Sequence, residues 1–96
     1  MSKVFLTIRL LPGGAEYTLF GRVAWALEQL IYAGGAGCTP ITHPGPRWSS
    51  YVHDLRTKGL AVDTLRERHG GQFPGTHARY VLSSSVEVLQ SWRDVR

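Results

Sequence analysis

Hydrophobic and polar positions alternate at the start of the chain. In residues 3–11 one side of an extended segment carries Val4, Leu6, Ile8 and Leu10, and the other carries Phe5, Thr7 and Arg9. This period of two, with β-branched residues, predicts a strand. The Pro-Gly-Gly sequence at 12–14 predicts a turn, and residues 16–20 (EYTLF) can return as a second strand. The chain is therefore expected to begin with a β-hairpin.

From residue 20 onward the apolar positions recur at helical spacing. In residues 20–33 the apolar stripe consists of Val23, Leu27, Leu30 and Ile31, flanked by Trp25 and Tyr32. Gly34 and Gly35 follow and end the predicted helix, because glycine accepts the left-handed conformation that a helix end often requires.

A short connector leads to a second helix. Residues 37–46 contain three prolines and two glycines, and Thr39-Pro40 predicts a single helical turn. Residues 46–58 form the next predicted helix, with Pro46 in its first turn and Gly59 at its end. Its buried face is predicted to consist of Trp48, Tyr51, Val52 and Leu55.

Two further strands are predicted at residues 60–69 and 76–83, joined by a glycine-rich loop that contains Phe73. This hairpin, residues 60–83, is called the wing below. The tail, residues 84–96, is ambiguous. Ser84 and Glu87 match a capping box and favour a helix, while Val86 and Val88 leave a strand open.

Composition and charge narrow the class of protein. A chain of 96 residues forms one domain, here residues 1–96. Its net charge of +4 and isoelectric point near 9.7 make an acidic partner plausible. Cys38 is the only cysteine, which excludes an intramolecular disulfide and fits a reducing compartment. Without a cleavage site after the first apolar run or a segment long enough to span a membrane, a cytoplasmic location is expected.

The order of elements predicts an α+β winged helix-turn-helix fold with an additional N-terminal strand or hairpin. The expected parts are residues 1–19 (hairpin), 20–59 (helical part), 60–83 (wing) and 84–96 (tail). Because the second helix has one apolar face, its opposite face is free to enter a DNA major groove, and the wing can contact the backbone or minor groove.

Residues 20–83 also resemble the small winged helix-turn-helix domains of phages and bacterial chromosomes. The resemblance rests on a Y-x-x-x-L-R-x-x-G helix end, here Tyr51, Leu55, Arg56 and Gly59, and on an R-Y-x-L strand, here Arg79, Tyr80 and Leu82. It implies binding of double-stranded DNA by a small transcriptional regulator or a phage accessory factor. This chain departs from the family in its connector, which is barely long enough for the usual positioning helix. The resemblance therefore does not imply the angle at which the second helix docks on DNA.

Cations concentrate in the part of the chain that would contact DNA. Residues 47–79 contain six Arg or Lys against three acids, and the four histidines lie in or beside this stretch. The predicted DNA-binding residues are Arg47, Ser49, Ser50, His53, Arg56 and Lys58 on the helix, and Arg66, Arg68, His69 and His77 on the wing. Cations on phosphates would give salt-dependent affinity, and base contacts from the helix would add selectivity.

Two alternatives remain open from the sequence. A winged helix can also serve as a protein-interaction or dimerisation module, with the N-terminal strand pairing with a second copy in a homodimer. Phe73 is expected to fold back on the hairpin, although insertion into a minor groove is a second interpretation.

The residues do not favour an enzyme. Cys38 and the histidines lack the spacing of a zinc site. A triad of Ser49, His53 and Asp54 fails because the last two side chains point about 100° apart on a helix. The glycines of the wing lack the strand-to-helix context of a phosphate-binding loop. No cofactor, metal or small-molecule substrate is predicted.

Overall fold

Five strands and two helices make up the part of the chain described by this computed structural model, residues 4–45 and 47–94. They are β1 (Phe5–Leu10), β2 (Glu16–Phe20), α1 (Gly21–Ala33), α2 (Trp48–Thr57), β3 (Val62–His69), β4 (Gly75–Leu82) and β5 (Val86–Ser91). Short 3₁₀ turns follow α1 at Gly34–Ala36 and β5 at Trp92–Asp94. The predicted hairpin, two helices and wing are all present. Pro46, predicted in the first turn of α2, lies outside the described residues.

The N-terminal strand is the middle strand of a three-stranded antiparallel sheet ordered β2-β1-β5. Ile8 is opposite Tyr17 on one side and Val88 on the other. Both edges of β1 are therefore occupied within the chain. The interpretation that the N-terminal strand pairs with a second copy is wrong, because that strand has no edge left to offer.

The core lies between this sheet and the two helices. Ile8 of β1, Leu27 and Leu30 of α1, and Val52 and Leu55 of α2 are all fully buried or nearly so. Burial of a side chain of this size stabilises the fold by about 1.5–3 kcal/mol. The predicted inner face of α2 is confirmed, since Trp48 and Tyr51 are buried there as well.

The connector contains a single capped turn. Cys38 bridges to Tyr80 of β4 through two backbone hydrogen bonds of 2.8 Å. The buried Oγ1 of Thr39 then accepts the backbone N–H groups of Ile41 (3.1 Å) and Thr42 (2.9 Å). The indole N–H of Trp48 donates to the carbonyl of His43 at 2.7 Å. This one turn occupies the place of a positioning helix, as the shortness of the connector predicts.

The wing is a two-stranded antiparallel sheet of β3 and β4, in register from Val62 opposite Leu82 to His69 opposite Gly75. Cross-strand partners share a face of such a ribbon. One face carries the pairs Thr64–Tyr80, Arg66–Ala78 and Arg68–Thr76, and the other carries Leu65–Arg79, Glu67–His77 and His69–Gly75. Tyr80 and Ala78 are buried, so the first face is the one that adjoins the core.

The tail forms β5, and the predicted terminal helix is wrong. The Oγ of Ser84 does not cap a helix: it accepts the backbone N–H of Ala61 at 2.7 Å. Val86 and Val88 lie opposite Leu10 and Ile8 of β1. Without β5, the backbone groups along one edge of β1 would lack hydrogen-bond partners, which is costly. This cost outweighs the local preference of Ser84 and Glu87 for a helix N-terminus.

An ion pair fastens the end of the chain to α1. Glu28 is only 3% exposed, and its carboxylate accepts hydrogen bonds from Arg93 at 2.7 and 3.0 Å. The guanidinium of Arg93 also lies 4.5 Å from the ring centroid of Trp92. The pairing with Glu28 raises the pKa of Arg93, which keeps the charge on this residue.

Candidate nucleic-acid interface

The side of α2 that faces away from the core is open to solvent. Ser49, His53 and Arg56 are exposed and follow one another at spacings of four and three residues, so they form one stripe along the helix. Arg47 is exposed at the N-terminus of the helix. Among the described residues, the side chains of Arg47, Ser49 and His53 have no hydrogen-bond or ion-pair partner. Their donors are free to meet a ligand.

Arg56 connects this stripe to the wing. Its Nη2 donates to the carbonyl of Val62 and, at 2.9 Å, to the Oγ1 of Thr64. Thr64 lies on the wing face that adjoins the core. The end of α2 and the base of β3 therefore present one continuous surface, and the remaining N–H groups of the guanidinium stay available.

Arg66 and Arg68 extend the same surface outward along the wing. They follow Thr64 at intervals of two residues and so share its face. Both are exposed, and neither has an acidic partner within residues 4–45 and 47–94. Together, the stripe on α2 that ends at Arg56, Arg47 at the N-terminus of the helix, and these two wing arginines make up a cationic surface, called the α2–wing surface below.

The opposite face of the wing holds a closed polar network. Glu67 accepts hydrogen bonds from both Nε and Nη2 of Arg79, the latter at 3.0 Å, and from Nε2 of His77 at 3.1 Å. Arg79 also donates to the carbonyl of Ala36 at 2.7 Å. The hydrogen bonds from Arg79 hold the pKa of Glu67 below its ordinary value, and the same contact raises the pKa of Arg79. The one acid on the outer part of the wing is thus neutralised away from the α2–wing surface.

His69 and His77 belong to this network. Their Nδ1 atoms are 2.9 Å apart, and their rings stack with centroids at 5.1 Å. When neutral His77 donates through Nε2 to Glu67, its Nδ1 is an acceptor, and the Nδ1–H of His69 supplies the proton. Both predicted site residues therefore lie on the face opposite Arg66 and Arg68 and have partners there.

Lys58 and Ser50 are also set apart from the surface. The Lys58 ammonium lies 6.0 Å from the ring centroid of Tyr17 in β2. Together with Asp54, it lines a groove between α2 and the N-terminal hairpin. Ser50 is half-buried and falls on the same flank of the helix. Asp54 thus lies at the margin of the exposed face of α2.

Two residues that shape this interface were not predicted from the sequence. Thr64 positions Arg56, and Arg79 neutralises Glu67. The period-two pattern of β3 contained the signal, because it places Thr64 with Arg66 and Arg68 and places Glu67 on the other face. Phe73 is 79% exposed, so the expectation that it folds back on the hairpin is wrong.

The arrangement of elements is that of a winged helix: a helix, a strand-like bridge at Cys38, a capped turn, a second helix with an open outer face and a two-stranded wing. A model of the winged helix domain family matches residues 16–92, and the chain belongs to that family. The match also includes most of β2 and all of β5, which lie outside the segment that shows the resemblance in sequence. No curated protein and no solved structure matched the chain.

Membership of the family has a general functional meaning. Winged helix domains are typically DNA-binding modules without catalytic activity. Within residues 4–45 and 47–94, no three His, Cys, Asp or Glu side chains come together in a way that could hold a metal ion. Neither helix in that part of the chain is long and apolar enough to cross a membrane.

Proposed function

We propose that this protein binds double-stranded DNA with the α2–wing surface. The observation that carries the proposal is the continuity of that surface: Arg56 joins the open face of α2 to the wing face that bears Arg66 and Arg68. Four arginines, including Arg47, lie on it without an acidic partner among the described residues. The phosphates of duplex DNA match such a row of guanidinium groups that have no acidic partner.

Each element has a distinct role in this proposal. The helix α2, which the sequence identifies as the recognition helix, enters the major groove, where Ser49 and His53 reach base edges. Arg47 and Arg56 contact phosphates on either side. The wing lies on the backbone and the neighbouring minor groove through Arg66 and Arg68. His69 and His77 support the shape of the wing through their bonds on its other face. Lys58 and Ser50 lie on a flank of α2 outside this interface.

The test is fluorescence anisotropy with a pool of random duplexes at two salt concentrations. The variants Arg47→Ala and Arg68→Ala are expected to bind more weakly than the wild type, with circular dichroism unchanged. Arg9→Ala is the matched control, because Arg9 is an arginine on the outer face of the three-stranded sheet, paired with Glu16 and Glu87. Unchanged binding by both test variants would remove the site assignment.

The proposal extends to the biological setting. A regulatory role in transcription, or an accessory role encoded by a phage, fits a small domain whose proposed activity is DNA binding alone. Action in the cytoplasm fits the single cysteine. Selection of bound duplexes from a random pool would identify the operator, and enrichment of a palindrome would indicate a two-fold symmetric complex.

A second candidate function is dimerisation through β5. This strand is an outer strand of the sheet, and Val88 and Leu89 on it are partly exposed. Val88 lines a pocket together with Tyr32 of α1. The strand has no lysine or proline, which are two of the features that usually prevent pairing with another chain. Dimerisation here would leave the α2–wing surface free.

Sedimentation measurements over a range of concentrations test this candidate. A dimer that dissociates in Leu89→Lys, with the fold retained, would support pairing through β5. A wild-type protein that remains monomeric at the highest concentration would exclude it.

A further inference from the structure

The wing extends beyond the part of the molecule that forms the core. Ala78 is the outermost buried residue of β4, and beyond it Arg68 and Thr76 are exposed on the same face. Three cross-strand pairs, from Glu67–His77 to His69–Gly75, continue past this point. At about 3.3 Å per residue, the loop therefore lies roughly 10 Å past the last buried position.

Phe73 lies in that loop and is 79% exposed, more than any other large apolar side chain in the part of the chain described. It lies between the glycine pair 70–71 and Pro74, and Gly71 has a positive φ of 101° that favours glycine. The aromatic ring thus projects from the end of the wing and contributes little to the stability of the fold.

The strand that leads to this loop carries positive charge on one face. Arg66 and Arg68 lead along the α2–wing surface towards the loop and are free of acidic partners within the described residues. Glu67, the nearest acid along β3, faces the other way and is bound by Arg79 and His77. The wing thus carries unpaired arginines along one face and an exposed apolar side chain in the loop at its end. This combination matches a polyanion that has an apolar interior.

The outer wing is also held in shape. The network of Glu67, Arg79 and His77 reaches His69, whose stacked ring lies over Gly75 in the last cross-strand pair. A Cβ atom at Gly75 would lie 3.4 Å from Nε2 of His69, so the ring covers this end of the strand. Side-chain contacts therefore brace the hairpin up to the start of the loop on the face that does not meet DNA.

We infer that Phe73 is an apolar wedge that enters the minor groove and partly unstacks one base step, with Arg66 and Arg68 on the flanking phosphates. This inference rests on the proposed function and adds a mechanism to it. Side chains such as phenylalanine that insert between base steps bend the duplex by about 20–90°. Flexible TA steps are the easiest to open, so the wedge would also favour sites that contain them.

The test uses an A·T-rich duplex of about 24 base pairs with TA steps, in which 2-aminopurine replaces adenine at those steps and the ends carry a donor–acceptor pair. Binding of the wild type is expected to raise the 2-aminopurine emission and bring the ends closer together. Phe73→Ala is expected to lose both signals and to bind about tenfold more weakly. Phe73→Leu, which keeps an apolar wedge, should retain them. Leu65→Ala is the matched control, because Leu65 is an exposed apolar residue on the opposite face of the wing.

The outcomes separate the two proposals. Absence of duplex binding by the wild type would overturn the proposed function itself. Binding by the wild type without a change in emission, or equal signals from Phe73→Ala, would overturn the wedge and leave DNA binding standing. A bilayer is the other surface with anionic groups over an apolar interior. Phe73-dependent retention on phosphatidylserine vesicles, with duplex binding unaffected by Phe73→Ala, would also overturn the wedge.

Discussion

The salt dependence of DNA binding follows from the number of unpaired cations on the α2–wing surface. Arg47, Arg56, Arg66 and Arg68 are the four that the structure presents. If each neutralises one phosphate, the logarithm of the binding constant should fall with the logarithm of salt concentration with a slope of about −3.6. Raising the salt from about 50 to about 200 mM would then weaken binding roughly 150-fold.

Removing the two wing arginines together is the perturbation that tests this count. In the double variant Arg66→Ala/Arg68→Ala the slope should be about −1.8, and the same salt step should weaken binding only about twelvefold. Fluorescence anisotropy on one duplex at several salt concentrations gives both slopes. Arg9→Ala removes one charge from the outer sheet face and should leave the slope unchanged.

The slope distinguishes contact from general attraction. A double variant that binds more weakly at every salt concentration but keeps the wild-type slope would show that the two arginines do not contact phosphates. Equal decreases in slope for Arg9→Ala and for each single wing variant would show that only net charge matters. Either result would refute the assignment of Arg66 and Arg68 to the interface.

Three further predictions concern stability. Thr39→Ala should lower the free energy of unfolding by about 0.5–2 kcal/mol in urea denaturation, because it removes the acceptor of two N–H groups; no change would contradict the capping role. Arg93→Ala should lower the melting temperature more than the double variant Glu28→Gln/Arg93→Ala does, because the single change leaves a buried carboxylate unpaired. A larger decrease in the double variant would contradict this. Burial raises the pKa of Cys38 to about 11, so stability should fall between about pH 9 and 11 by roughly 1.4 kcal/mol per pH unit, and Cys38→Ala should abolish this slope.

The sign of the pH effect follows from which state holds the proton. The folded state keeps the Cys38 thiol protonated up to about pH 11, whereas the unfolded chain releases that proton near pH 9. Unfolding is therefore favoured progressively as the pH rises through this interval. Below it, the thiol is neutral in both states and contributes no pH dependence.

Elements with a strong period were predictable from sequence. The alternation in β1 and the apolar stripe of α2 each define a buried face, and those faces are buried in the structure. The wing was also predictable, because the glycines and the proline of its loop mark the turn between two strands. These features depend on residues close together in the chain.

Features that depend on distant partners were not predictable. Ser84 matches a helix cap locally, but its hydroxyl binds Ala61, which is 23 residues away. Glu28 lies on a helical face that gives no sign of burial, and its partner Arg93 is 65 residues away. In both cases a tertiary contact decides the conformation, and no local pattern encodes that contact.

Some of the predicted site residues lie on the α2–wing surface and others do not, and this division also depends on tertiary contacts. Helical and strand periods predict which side chains share a face of one element, but not how the faces of α2 and the wing join. Arg56 and Thr64 establish that junction. His69 and His77 fall outside it because Glu67 and Arg79 organise the other face of the wing.

The most direct test of DNA binding by the α2–wing surface is a map of backbone amide shifts on addition of a duplex. In a ¹⁵N-labelled sample, the account predicts that the largest changes fall at Arg47, Ser49, His53, Arg56 and the wing residues 64–73. The outer face of the three-stranded sheet around Thr7 and Thr18 should show little change. Shifts concentrated on β5 or on that outer face, with α2 and the wing unaffected, would contradict the account.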